Sequence, residues 1–217
     1  MEEVIWEIPR DVRAALAKLG LTLEPLQEAV RVGYAIGRIS RTENDAPSAP
    51  GFYQWNETVK ALREQLVVTK GWFRNNGGGL PTVVNPQDTI AIAVYSGNEN
   101  TGTHKTPSTK YQKGPCTTCM VEANAEQLEL GIEVPQIAPV QPSLDSNVIA
   151  TWALLFYADK EEIRSELSLP TVINGGQINQ WRKRIILPAI PLDGDEYRGT
   201  KEPDFGPDVD IEIRRRA

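Results

Sequence analysis

Thr89 to Tyr95 reads TIAIAVY, a run that is apolar on both faces. A strand with one wet face alternates; an unbroken apolar run of this length marks a central strand covered on both sides. Ile149 to Tyr157 has the same character, with Trp152, Leu154, Leu155 and Phe156. Ile163 to Leu169 alternates instead, Ile163, Leu167 and Leu169 against Arg164, Glu166 and Ser168. The turn Asp159-Lys160-Glu161-Glu162 between the last two predicts an antiparallel hairpin. Arg184 to Ile190 adds a strand that Pro188 places at an edge or a sheet exit. Val209, Ile211 and Ile213, alternating with Asp210, Glu212 and Arg214, predict a last half-exposed strand.

Upstream of this region the period changes from two to 3.6. Pro9 to Leu19 reads as a short helix with Val12, Ala15, Leu16 and Leu19 on one face, Pro9 in its first turn and Gly20 at its end. A second helix starts at Thr22, with Leu26, Ala29, Val30 and Gly33 on one face. Gly33 and Gly37, four apart and flanked by Arg31 and Arg38, permit close packing on a neighbour. Ser40 to Pro50 is polar and proline-bearing, a loop. Trp55 to Val68 is a third helix with Trp55, Val59, Leu62 and Leu66 aligned, closed by Gly71. Asn75 to Gly79 (NNGGG) supplies positive-φ turns and marks the passage from helices to strands.

Helices first and strands later predict one α+β domain over residues 1–217, with a helical layer (1–74) packed on a largely antiparallel C-terminal sheet (80–217). The proline-rich stretch Ile132 to Ser146 reads as an extended linker or surface loop within it. Trp55, Trp72, Trp152 and Trp181 sit on apolar elements, as packing anchors do.

Composition fits that fold. Of 217 residues 40% are hydrophobic and 24% charged, which excludes disorder and fibrous classes. No apolar run approaches the roughly 20 residues of a membrane span. The acidic start Met1 to Glu7 lacks the basic and apolar parts of a secretory signal, so a cytoplasmic protein is expected, with Cys116 and Cys119 as reduced thiols. The net charge of −6 argues against a general coater of nucleic acid.

One segment reverses that charge. Ser96 to Cys119 reads SGNENTGTHKTPSTKYQKGPCTTC, with no Asp or Glu from Thr101 to Cys119 and with Lys105, Lys110 and Lys113. It joins the central strand to a helix predicted over Thr117 to Leu130. Lysines supply positive charge, Gly114 lets backbone amides approach a ligand, and Thr117 and Thr118 stand where a helix N-terminus offers free amides. The combination predicts a loop that holds a phosphate-bearing ligand, a nucleotide or a nucleic-acid backbone, in a noncatalytic binding or accessory protein without a cofactor.

Pro115-Cys116-Thr117-Thr118-Cys119, with His104 upstream, resembles a fragment of the signature of the zinc-dependent nucleoside and nucleobase deaminases, His-x-Glu followed by Pro-Cys-x-x-Cys. The resemblance implies zinc held by His104, Cys116 and Cys119. Thr106 stands where the family's proton-shuttling glutamate belongs, and three ligands fall short of the four of a structural zinc site. Zinc is therefore disfavoured. A thioredoxin-like role for the cysteines requires a βαβ context, which the sequence does not display. His104 also lacks a Gly-x-Ser-x-Gly elbow to complete a hydrolase triad.

The alternative reading is a metal-dependent phosphodiesterase or nuclease. Asp88 precedes the central strand, Glu99 follows it and Glu166 lies on a later strand, and magnesium enzymes gather carboxylates from strand ends in this way. Ser168 stands where restriction-type cores carry a lysine. A structural subunit whose long loop contacts a protein partner is the second alternative. The basic clusters Arg182 to Arg184 and Arg214 to Arg216 are expected to pair with the acidic tail or a partner.

Overall fold

The sheet runs in the order β1-β7-β6-β5-β4-β3-β2, so its two edges are the first two strands in sequence. The computed structural model describes residues 3–39, 44–129 and 149–192. Along the chain these are β1 (Val4–Trp6), α1 (Pro9–Lys18), α2 (Leu23–Ile39), α3 (Ala49–Arg63), β2 (Phe73–Asn75), β3 (Thr82–Val84), β4 (Ile90–Ser96), α4 (Pro115–Glu129), β5 (Ala150–Ala158), β6 (Glu162–Asn174) and β7 (Gln177–Pro191). The Ile132 to Ser146 linker, the strand at Val209 to Ile213 and the Arg214 to Arg216 cluster lie outside the described residues.

The sheet is mixed, which corrects the largely antiparallel expectation. β4 pairs with β5 in parallel, and so does β1 with β7; the other four neighbours are antiparallel. The sequence hid both parallel pairs for identifiable reasons. β1 is three residues long, too short for periodicity to reveal. Parallel β4 and β5 need a crossover, and α4 carries only Thr117, Val121 and Asn124 buried, so it shows almost no apolar stripe. β4–α4–β5 is thus a βαβ unit, the context that the sequence reading of the cysteines lacked.

The two sheet faces bury different partners. Ile92 and Val94 of β4, Trp152, Leu154 and Phe156 of β5, and Ile185 and Leu187 of β7 belong to one buried cluster with Leu16 of α1, Leu26 and Val30 of α2, and Leu62 of α3. The alternate positions Ala93, Tyr95, Ala153 and Leu155 form a second cluster with Val121 of α4 and with Ile178 and Trp181 of β7. The central run is apolar on both faces because helices lie on both. Where β6 has diverged from β5, Asn124 of α4 replaces the missing strand partner: its amide donates to the carbonyls of Thr151 (2.9 Å) and Pro170 (3.1 Å), and its oxygen accepts from the Thr151 amide (3.0 Å).

Helix limits moved where prolines and glycines act. α3 begins at Ala49, six residues before the predicted Trp55, with a proline in its first turn. It continues as a π-helical turn over Glu64–Val68. Gly33 and Gly37 do bring α2 against α3: a Cβ on Gly33 would stand 2.0 Å from Thr58 Oγ1, and one on Gly37 2.9 Å from Gln54 Cβ. Asn75 to Gly79 links β2 to β3 as an antiparallel pair. Pro188 lies beyond the reach of β1, which pairs only with Lys183 to Ile185, so its missing N–H leaves no ladder bond unmade there.

Candidate functional site

The acid-free segment is tied down along its length. After β4, Asn98 donates its backbone amide to Ser108 O (3.0 Å) and Lys110 its own to Ser96 O (2.8 Å), so the loop starts and ends as a narrow ladder. Between these points it reaches across the sheet. Gly102 donates its amide to Glu166 Oε2 (2.9 Å), Arg184 donates to Thr103 O (2.8 Å), and Trp181 donates to Pro107 O (2.8 Å). The return leg leans on the β6–β7 turn, where the Lys113 backbone amide donates to Gly176 O (2.7 Å). The chain then enters α4.

This path separates the predicted residues. Lys105 follows His104, whose Nε2 lies 2.8 Å from Glu7 Oε2 beside edge strand β1. Lys110 lies over the Tyr111 ring at 5.5 Å from its centroid, and Lys113 over Tyr95 at 4.9 Å. Thr117 is buried and its hydroxyl meets the Tyr95 hydroxyl (3.3 Å). Thr118 turns its hydroxyl back to Gly114 O (3.4 Å). The three lysines therefore do not converge, and the two threonine hydroxyls are engaged within the protein.

Lys113 has the most unusual surroundings. It lines a cleft of about 580 Å³ together with Phe52, Tyr53 and Trp55 of α3, Tyr95 at the end of β4, and Tyr111. Each wall has a local cause. Trp55 is fixed by its indole N–H, which donates to Val94 O (2.9 Å) just past the last residue of β4 that pairs with β3. Tyr95 is the final aromatic of the central strand, and burial pushes its phenol up to about 12. Phe52 and Tyr111 are more than half exposed and form the rim. Burial lowers the Lys113 ammonium to about 8, and no carboxylate pairs with it among the described residues. The volume falls in the range of small-molecule sites.

The carboxylate reading meets a different geometry. Asp88 (φ 58°) sits in the turn before β4 and Glu99 beyond its far end, at opposite ends of a strand that spans about 20 Å. Glu166 is fully buried and bound to Arg184 through Nε–Oε1 (3.0 Å) and Nη2–Oε2 (2.6 Å), with Ser168 donating to Oε1 (2.7 Å). It is neither a metal ligand nor a residue of a solvated face, and Arg184 spends its charge here. His104 lies near one sheet edge, whereas Cys116 packs on Gly78 between β2 and β3 at the other. Among the described residues no group of three or more His, Cys, Asp or Glu could hold a metal ion, so neither the magnesium set nor the zinc set assembles.

Comparison with protein-family models, with curated proteins and with solved structures gives no match. The chemistry of the cleft therefore has to speak for itself. Sequence reading missed its aromatic walls because Phe52, Tyr53 and Trp55 fall across the boundary assigned between loop and helix. The available signal was the interleaving of cations and rings in Lys110-Tyr111-Gln112-Lys113 together with the aromatic cluster at Phe52 to Trp55.

Proposed function

We propose that this protein binds a small ligand that joins a flat ring to a phosphate, a nucleotide, in the cleft between α3, the end of β4 and the segment before α4. One observation carries the reading: a half-buried ammonium, Lys113, without a carboxylate partner among the described residues, in a cleft walled by five aromatic side chains. Aromatic faces accept any base, each stacking contact being worth about 1–3 kcal/mol. The Lys113 ammonium supplies the charge for the phosphate. A monomeric nucleotide suits the site better than a nucleic-acid backbone, because the cleft is lined by one cation, Lys113, and the chain is acidic overall. The role is binding rather than catalysis, in a reducing, cytoplasmic setting consistent with two free thiols.

Calorimetric titration with nucleoside monophosphates and with the corresponding nucleosides tests this. The monophosphate binds about 10- to 100-fold more tightly than its nucleoside, the worth of one charge-assisted hydrogen bond. Lys113→Met abolishes that difference and leaves nucleoside binding unchanged. The affinity also depends on pH in a fixed sense. The phosphate requires the protonated amine, so its affinity is greatest between the phosphate's own second ionisation, near about pH 6, and about pH 8, and it declines as pH rises through the latter value. A panel in which no monophosphate binds at millimolar concentration, or a Lys113→Met variant that still prefers the phosphate, would rule the reading out.

A further inference from the structure

Cys116 and Cys119 lie three residues apart in the first turn of α4, both exposed and both free. They open the helix of the β4–α4–β5 parallel unit. Their surroundings are built from backbone. Gly78 (φ 61°) sits against Cys116 so closely that a Cβ there would stand 2.0 Å from its Sγ. Gly79 and Gly114 have open space where a Cβ would be. Both sulfurs belong to exposed residues, and Gly78 meets Cys116 without a side chain, so another molecule's sulfur can approach.

We propose that Cys116 and Cys119 form a thiol–disulfide exchange site whose substrate is a disulfide of a small thiol compound or of a protein. In the first step the thiolate of one cysteine attacks a sulfur of R–S–S–R. A mixed disulfide forms, and the expelled RS⁻ takes up the proton that the attacking thiol gave up. In the second step the other cysteine attacks the protein-side sulfur of that mixed disulfide and expels the second thiol. Two protein thiols are oxidised and one external disulfide is reduced to two RSH.

Helix geometry makes this a labile pair rather than a structural staple. Helical Cα atoms three residues apart are about 5 Å from each other, within the range a disulfide spans. Their Cβ atoms are about 5–6 Å apart, more than the roughly 3.5–4.5 Å of a closed bridge. Closing the bond must tighten the first turn, and a bond formed against its scaffold is more readily reduced. The site is independent of the nucleotide reading and can be tested without any nucleotide.

The full-length chain is equilibrated in glutathione buffers of increasing oxidised fraction, its free thiols are alkylated, and its intact mass is read. The expected product has lost two hydrogens, has both cysteines protected from alkylation and returns to the dithiol in reduced glutathione. Cys119→Ser arrests the reaction with glutathione held on Cys116, and the double serine variant does not react. Insulin reduction by the dithiol form would extend the substrate to proteins; turnover with glutathione disulfide alone would assign it to small thiols. Separate glutathionylation of both cysteines without an internal bond, or no reaction at any ratio, overturns the proposal.

Discussion

Glu166→Ala destabilises this protein by about 3–5 kcal/mol, the usual loss when one partner of a buried ion pair is removed. For a chain of this size that lowers the melting temperature by roughly 6 to 20 °C. The reason is what remains behind. Arg184 is fully buried, and among the described residues its two bonds to Glu166 are its only carboxylate contacts shorter than the 3.9 Å approach to Glu3. Glu3 is a poor substitute, because burial, opposed by Arg184 and aided by Glu166, raises its own carboxyl above the usual range. Without Glu166 a guanidinium is left in the sheet interior and the Gly102 amide loses its acceptor.

A double replacement separates the pair's net worth from this penalty. Glu166→Leu with Arg184→Met removes both charges, and buried pairs exchanged for apolar residues of similar volume commonly lose little stability. The double variant should therefore recover most of the loss seen in Glu166→Ala by denaturant unfolding. Its remaining defect is local. Gly102 and Thr103 are held by Glu166 and Arg184, so hydrogen exchange at Gly102 accelerates even where global stability returns. A Glu166→Ala variant within about 1 kcal/mol of the parent would show that the pair is hydrated rather than buried.

That pair also marks the limit of reading this chain as a string. Glu166 alternates with Ile163, Leu167 and Leu169, and alternation alone assigns it to a wet face. The face is dry because the loop after β4 crosses it: Gly102 binds Glu166 from 64 positions away, and Arg184 binds Thr103 across 81. Local signals fared better where a residue type has few uses. TIAIAVY could hardly be anything but a central strand, Asp159 to Glu162 formed the turn it encodes, and the two glycines of α2 met a neighbouring helix. Strand direction was the part not written locally: an antiparallel turn can be seen in four residues, but a parallel pair shows only in its crossover, and α4 has too few apolar residues to announce one. The cleft was half legible for the same reason. Lys113 stood out by charge, whereas three of its aromatic walls come from a helix about sixty residues earlier.

Gly33→Ala tests the helix contact on which that cleft depends. Taken alone, alanine favours a helix over glycine by roughly 0.5–1 kcal/mol, so an exposed site would gain stability. At Gly33 the new methyl group would stand 2.0 Å from Thr58 Oγ1, 2.7 Å from Gln54 O and 2.8 Å from Thr58 N. Overpacking of this kind costs about 1–3 kcal/mol, which outweighs the propensity gain, and the net result is destabilisation. Two of the three contacts are backbone, so a rotamer change cannot relieve them. Adding Thr58→Ala to Gly33→Ala therefore restores little; full recovery would show that only the hydroxyl was in the way. Relief must come from moving α3 away from α2, and α3 carries Phe52, Tyr53 and Trp55 on the turns adjoining Gln54 and Thr58. Trp55 is held to Val94 O by a single bond, so the wall of the cleft shifts with its helix. Gly33→Ala should thus weaken nucleotide binding under conditions where the protein is still folded, and it should weaken nucleoside and monophosphate equally because Lys113 lies on the opposite wall. A variant that lost only the preference for phosphate would place Gly33 in contact with the lysine side instead, and one that gained stability would show that α2 and α3 are farther apart than described.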